Sequence, residues 1–222
     1  MWEIIRAGGP VMWPIILLSV VALAIIAERL YSLQESRILP EDLTDKIWKL
    51  VESNQVSDKH LLALAENSAL GQVLAAGLAN RYRPRQYVKE AIEDTGRHVV
   101  HELERFLNTL GTIASVSPLL GLLGTVIGII TAFSAITQQG VGDPKVLSGG
   151  IGQALISTAA GLIVAIPSLI GYRYLKGRVE QLVVKMEKEA LRLVYSIDQH
   201  RGSETGYFTR PKSGGATSTT TP

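Results

Sequence analysis

The fold of this chain is decided by residues 106–142, FLNTLGTIASVSPLLGLLGTVIGIITAFSAITQQGVG, and by residues 146–172, VLSGGIGQALISTAAGLIVAIPSLIGY. Both runs are long enough to cross a lipid bilayer as helices, and neither contains Asp, Glu, Lys, Arg or His. Both are rich in Gly, Ala, Ser and Thr, which let helices approach closely in lipid. Because hydroxyl groups do not ionise near neutral pH, these helices alone cannot hold and release a proton.

A third uncharged run covers residues 7–27 and reaches about 30 Å as a helix, the thickness of one hydrocarbon core. The chain is 46% hydrophobic and 19% charged. These features predict an all-α membrane protein with three transmembrane helices, the second and third extended into a cytoplasmic helical bundle. No signal-peptide cleavage site follows the first run, which continues directly into Glu28 and Arg29, so we expect a retained helix.

The distribution of Lys and Arg predicts the orientation in the membrane. Residues 28–105 carry eleven and residues 173–222 carry nine, against Arg6 and Lys145 in the other two polar segments. The positive-inside rule then places the N-terminus in the periplasm and the C-terminus in the cytoplasm of a multi-pass inner-membrane protein. Glu28 and Arg29 are expected to anchor the first helix at the interface.

Helical patterns also fill the polar segments. Helices are predicted after Pro40, after Ser57-Asp58, over residues 70–79 and from Pro84. From there one stripe continues into the membrane run and predicts a single long helix, through Val88, Ile92, Thr95, Val99, Leu103, Phe106 and Leu110. A second stripe continues beyond Tyr172, through Val179, Leu182, Val183, Met186, Ala190, Leu193 and Val194.

These stripes fit packing within a bundle, and a partner-binding face is the alternative. The Gly-, Ser-, Thr- and Pro-rich end of the chain is predicted to be disordered. The predicted organisation is an N-terminus with the first transmembrane helix (1–35), a cytoplasmic helical segment (36–105), the second transmembrane helix (106–138), a periplasmic turn (139–148), the third transmembrane helix (149–174), a cytoplasmic helix (175–200) and a disordered tail (201–222).

Candidate functional residues lie on faces of the second and third helices. Gly121, Thr125 and Gly128 share one face, and Gly124 and Gly128 form a GxxxG pair. This pattern fits close helix packing, and the alternative is that Thr125 exposes its hydroxyl to a hydrated lumen. In the third helix Gln153 and Ser157 share a face, whereas Thr158 lies about 140° around from Gln153.

Three further residues are expected to shape these helices. Pro118 and Pro167 each remove a backbone hydrogen bond and favour a kink, and Gly161 lies on the small-residue surface of the third helix.

Nothing in the sequence indicates an enzyme. All four histidines lie outside the membrane runs, there is no cysteine, and the GxSxG, HExxH and P-loop patterns are absent. We therefore expect no metal and no cofactor. The net charge of +2, with Lys and Arg interleaved with acids, is typical of a solvated surface and gives no indication of nucleic-acid binding.

Two long motifs carry a family resemblance. They are Ser117-Pro118-Leu-Leu-Gly121-Leu-Leu-Gly124-Thr125-Val-Ile-Gly128 and Gly150-Ile-Gly-Gln153-Ala-Leu-Ile-Ser-Thr158-Ala-Ala-Gly161-Leu-Ile-Val-Ala-Ile-Pro167. In this order they resemble the ExbB/TolQ/MotA proton-channel family, and most of all ExbB, with TolQ next. The resemblance implies a homopentamer around single-helix ExbD- or TolR-like partners, which uses the proton-motive force to drive TonB- or Tol-dependent work at the outer membrane.

The resemblance also implies roles for single residues. Thr125 and Thr158 correspond to threonines that face the lumen, and Gln153 stands where the family commonly has Glu. We hypothesise that an aspartate on the partner carries the proton while these hydroxyls, together with Ser157 and Gln153, line its path. The alternatives are a TolQ-type subunit for envelope maintenance, a MotA-like stator, which has four membrane helices, and a passive membrane scaffold.

Overall fold

The computed structural model describes residues 2–40, 57–139 and 144–206, and every regular element within these ranges is an α-helix. The helices are α1 (Trp2–Ala7), α2 (Met12–Ser32), α3 (Glu35–Ile38), α4 (Asp58–Asn67), α5 (Ala69–Ala79), α6 (Arg85–Leu103), α7 (Leu107–Gln139) and α8 (Pro144–Gly206). The predicted all-α class is confirmed. The helix expected after Pro40 and the tail beyond Gly206 lie outside the described residues.

Three segments are long and apolar enough to cross a membrane: Met12–Ser32, Leu107–Ser134 and Ser148–Gln199. This confirms the number of transmembrane helices. The last segment has 52 residues and would reach about 80 Å, so only its uncharged first half fits a bilayer. Helix α8 therefore continues the third membrane helix without interruption into a charged extension.

The chain forms two compact units. The membrane unit contains Met1–Glu41 and His98–Val184, and the distal unit contains Asp42–Arg97 and Lys185–Pro222. Within the membrane unit α2 packs against α7, and the side chain of Ile26 in α2 contacts the backbone of α8 at Gly171. Ile15, Ala22 and Leu110 are among its buried residues. The three membrane segments therefore pack against one another within a single subunit.

The distal unit is built from α4, α5, the first part of α6 and the last part of α8. Leu70, Val88 and Leu193 are at most 1% exposed, and Gly77 lets the side chains of Ile92 and Leu193 approach α5 closely. At the start of α5 the Ser68 hydroxyl accepts a hydrogen bond of 3.0 Å from the N–H of Gly71. The part of α8 in this unit buries four members of the predicted stripe, Met186, Ala190, Leu193 and Val194, and also Ile197. This part of the stripe therefore packs within the unit.

The predicted single helix from Pro84 into the membrane is wrong, because the chain breaks at residues 104–106. Phe106 has a φ of 63°, a left-handed conformation that bulky residues rarely adopt. At the break Phe106 is 42% exposed and Leu107 is buried in its place, whereas Leu103 and Leu110 of the predicted stripe are both buried. No glycine or proline marks this turn, so the spacing of apolar residues gave no sign of it.

The Phe106 ring instead contacts two arginines. The guanidinium carbons of Arg105 and Arg29 lie 4.7 Å and 5.3 Å from its centroid, within the range of cation–π attraction. Arg29 is only 6% exposed, because it is buried within the membrane unit. Its role as an interfacial anchor stays a prediction. Oε2 of Glu28 lies 2.7 Å from Nε of Arg29. This N–H is not directed at that oxygen, and within the described residues it has no acceptor.

Two leucines of α8 provide a test of the distal core. Leu193 is fully buried and Leu191 is 51% exposed. We expect Leu193→Ala to lower the free energy of unfolding by about 2–5 kcal/mol, because it leaves a cavity. Leu191→Ala should cost much less. Denaturant unfolding of the purified chain in detergent measures both, and equal losses would contradict the assigned core.

Candidate functional site

The candidate site lies where α7 and α8 pack against each other in antiparallel orientation. A Cβ atom added at Gly128 would lie 2.7 Å from the carbonyl oxygen of Gly150, and one at Gly161 would lie 2.6 Å from that of Ser117. One added at Gly124 would collide with Cβ of Ser157. Backbone-to-backbone approach of this kind is possible only where glycine removes the side chain.

Thr158 joins the two helices by a hydrogen bond. Its hydroxyl donates to the carbonyl oxygen of Gly121 over 3.2 Å. The Thr125 hydroxyl donates to the carbonyl oxygen of Leu122, in its own helix, over 2.6 Å. Thr125 follows Gly121 by four residues, or about 6 Å along the helix axis. The two threonines, which are both partly exposed, therefore lie about one helical turn apart on neighbouring helices.

Ser157 and Gln153 face a different neighbour, the turn between α1 and α2. The Ser157 hydroxyl is fully buried and lies 2.7 Å from the carbonyl oxygen of Gly8 and 2.9 Å from that of Gln153, so it can donate to either. A Cβ atom at Gly9, whose φ is +73°, would collide with the Gln153 amide. The structure thus separates the four candidate polar residues into two pairs.

Sequence reasoning missed the part played by Gly8 and Gly9. The only signal was the Gly8-Gly9-Pro10 run, which is typical of a turn but does not identify what packs against it. The left-handed φ of Gly9 and its contact with Gln153 explain why glycine suits this position. The turn brings the start of the chain to the side of α8 that carries Gln153 and Ser157.

The other buried hydroxyls of the membrane unit bond to their own helices. Ser117 and Ser168 are at most 2% exposed and donate to the carbonyl oxygens of Ile113 and Val164, each over 2.7 Å. Such bonds satisfy the hydroxyl donor where water is absent. Pro118 and Pro167 lie inside α7 and α8, where each lacks the N–H of a regular helical bond.

No group of three His, Cys, Asp or Glu residues that could hold a metal ion occurs among the described residues. The helix surfaces around Thr125 and Thr158 are apolar, with exposed Leu122, Val126 and Leu155. The arrangement therefore offers neutral hydroxyl groups and close packing but no group that ionises.

A matched pair of glycines tests the close contact. We expect Gly124→Ala to lower the free energy of unfolding by about 1–3 kcal/mol, because the new methyl collides with Ser157 and pushes the helices apart. Gly152 has open space around it, so Gly152→Ala should be neutral or slightly stabilising. Thermal or denaturant unfolding in one detergent compares them, and a neutral Gly124→Ala would contradict the geometry.

The chain is similar to proteins of known families. Residues 65–188 match the model of the MotA/TolQ/ExbB proton channel family. An ExbB-like biopolymer transport protein of Synechocystis is 35% identical over 76% of this chain and 67% of its own length. The biopolymer transport protein exbB1 of Vibrio cholerae is 31% identical over 81% of this chain and 80% of its own length. The Tol-Pal system protein TolQ of Haemophilus influenzae is 33% identical over 70% of this chain and 65% of its own length.

The family match covers more than half of the chain and includes both motifs that line the contact of α7 with α8. With three apolar helices of membrane length, the protein is a multi-pass inner-membrane protein. The chain belongs to the MotA/TolQ/ExbB proton channel family.

Proposed function

We propose that this chain is the channel subunit of an inner-membrane motor that uses the proton-motive force, together with an ExbD/TolR-like single-helix partner, to energise TonB-dependent transport across the outer membrane. Family membership and the similarity to exbB1 support the proposal. A TolQ-type role in the cell envelope is the second candidate, because the identity to the Haemophilus TolQ, 33%, is about the same as the identity to exbB1, 31%.

The absence of Asp, Glu, Lys, Arg and His from residues 106–142 and 146–172 is the observation that most strongly supports a proton mechanism common to the ExbB-type and TolQ-type roles. A proton that crosses the bilayer needs a group that binds and releases it, and a hydroxyl does neither near neutral pH. In the proposed mechanism the titrating group therefore comes from another chain. An aspartate on the partner's membrane helix has the right chemistry, since a carboxylate in lipid is costly when charged and far less so when protonated.

Thr125 and Thr158 are suited to solvate such a carboxyl group as its charge changes. Each hydroxyl donates to a backbone carbonyl and so keeps its oxygen lone pairs free to accept from water or from a protonated acid. Rotation of the hydroxyl would turn the same group into a donor to the charged carboxylate. The walls stay neutral throughout, which lets the partner's helix move once it is protonated.

Gln153 and Ser157 would join this path only after the turn at Gly8 and Gly9 moves, because both contact it. We propose that they hold the start of the chain against α8 in the resting protein. An amide at position 153 stays neutral at any physiological pH, so it can hydrogen-bond to water or backbone but cannot relay a proton by ionising.

The proposed assembly is a homopentamer around two partner helices, with the N-terminus in the periplasm and the C-terminus in the cytoplasm. The excess of Lys and Arg in residues 28–105 and 173–222 supports this orientation. The exposed apolar residues of α7, which include Leu119, Ile130 and Phe133, provide surface for lipid or for neighbouring subunits.

Proton flux in vesicles tests the proposal. We expect flux only when the chain is reconstituted with its partner, and we expect Thr125→Val with Thr158→Val to reduce it at least about tenfold, because a lost hydrogen bond to a charged group costs about 1.5–3 kcal/mol. A pH-sensitive dye inside the vesicles reports the flux. Valine keeps the shape of threonine, so the helix packing should persist.

Thr131→Val is the matched control, because Thr131 is an exposed α7 residue that donates to the carbonyl oxygen of Ile127. It should leave the flux unchanged. Normal flux in the double variant would remove both threonines from the path. Absence of flux with and without the partner would favour a passive scaffold, and restoration of Tol functions rather than TonB-dependent uptake in cells would favour the TolQ-type role.

A further inference from the structure

The break between α6 and α7 opens a cavity in the membrane unit that the proton path does not use. It has a volume of about 510 Å³ and is lined by residues of α6, the break, α7 and α8, including His101, Glu104, Arg105, Asn108, Tyr172 and Lys176. This volume is typical of small-molecule sites, which measure about 300–1,000 Å³. Both sides of the cavity belong to the same compact unit, so a single chain provides the site.

The cavity carries two cations that form no ion pair among the described residues. Among the described residues no carboxylate lies within ion-pair distance of Arg105 or Lys176, whereas nearby Arg178 pairs with Glu35 over 3.3 Å. Glu104 also lines the cavity and offsets one of the two charges, while His101 and Asn108 add further polar groups. The lining groups therefore favour an anion, and they offer donors on more than one side of it.

The side chain of Arg105 is placed where it can bind an oxyanion. Its guanidinium carbon lies over the ring of Phe106, 4.7 Å from the centroid. A guanidinium that packs against a ring with its face keeps its N–H edge available for hydrogen bonds. The left-handed turn at Phe106 provides this stacking partner beside the cavity. A planar fork of N–H groups beside a flexible ammonium group can bind the oxygens of a phosphate together.

The position of the cavity indicates where the phosphate would come from. Leu107 begins a membrane-length segment and Tyr172 ends the uncharged run of α8, and both line the cavity. Tyrosine at the border between apolar and charged residues is typical of the membrane–water interface. A ligand at this level meets charged groups on one side and the apolar start of α7 on the other. A phospholipid has the same polarity profile, which a soluble anion lacks.

We propose that this cavity binds the phosphate of an anionic phospholipid headgroup, with Arg105 and Lys176 as its principal ligands. The inference does not depend on proton conduction, since none of these residues lies in the proposed path. A bound lipid would fill the gap that the helix break leaves at the edge of the membrane. It would also tie α7 to α8 at the end opposite to the contact of Gly128 with Gly150.

Native mass spectrometry of the delipidated full chain tests the site, with dioctanoyl-phosphatidylglycerol, dioctanoyl-phosphatidylcholine and glycerol phosphate as probes. Phosphatidylglycerol should bind most tightly. Each of Arg105→Gln and Lys176→Gln should weaken its binding about fivefold, and the double variant about thirtyfold. Phosphatidylcholine binding should barely change. Arg105→Lys with Lys176→Arg keeps both charges and should stay within about threefold of the natural sequence.

Arg97→Gln with Lys188→Gln is the matched control, because it removes the same charge from exposed positions that do not line the cavity. It should leave binding unchanged. Unaltered phosphatidylglycerol binding in R105Q/K176Q, or equal binding of the two lipids to the natural chain, would overturn the proposal. Glycerol phosphate binding as tightly as phosphatidylglycerol would overturn the lipid as the source. If the double variant unfolds, the two single variants test the site, and unaltered phosphatidylglycerol binding in both would overturn the proposal.

Discussion

Contact between the backbones of α7 and α8 is the interaction on which the rest of the membrane unit depends. In lipid, helices gain little from hiding apolar side chains from one another, so close packing and internal hydrogen bonds have to hold them together. Glycine at positions 121, 124, 128 and 161 removes the side chains that would keep the two backbones apart. That closeness in turn brings the Thr158 hydroxyl within reach of the Gly121 carbonyl oxygen.

The same contact explains why the protein has hydroxyls at membrane depth without charges. A buried hydroxyl is tolerated because a nearby backbone carbonyl oxygen accepts a hydrogen bond from it, as at Ser117, Ser157 and Ser168. A buried carboxylate has no hydrogen to donate to a carbonyl oxygen, and its charge would carry a large desolvation cost. In the proposed function such a subunit provides a neutral wall, and the partner provides the group that ionises.

The border of the membrane unit follows a different principle, because charges there have to be accommodated rather than excluded. Phe106 adopts a strained left-handed conformation, and its ring is placed against Arg29 and Arg105. Strain of this kind persists only where the surroundings compensate for it. The break also exposes Phe106 at a position where an uninterrupted stripe would bury it.

The sequence by itself determined the all-α class, the three membrane segments and the stripe of α8, because uncharged length and helical spacing are local properties that a chain carries into any fold. It also identified the glycine motifs. Only the tertiary structure decided that the helix breaks at Phe106, that Arg29 is buried, and that Ser157 donates to the carbonyl oxygen of Gly8. These outcomes depend on which distant segment packs against a residue, and neither spacing nor composition encodes that partner.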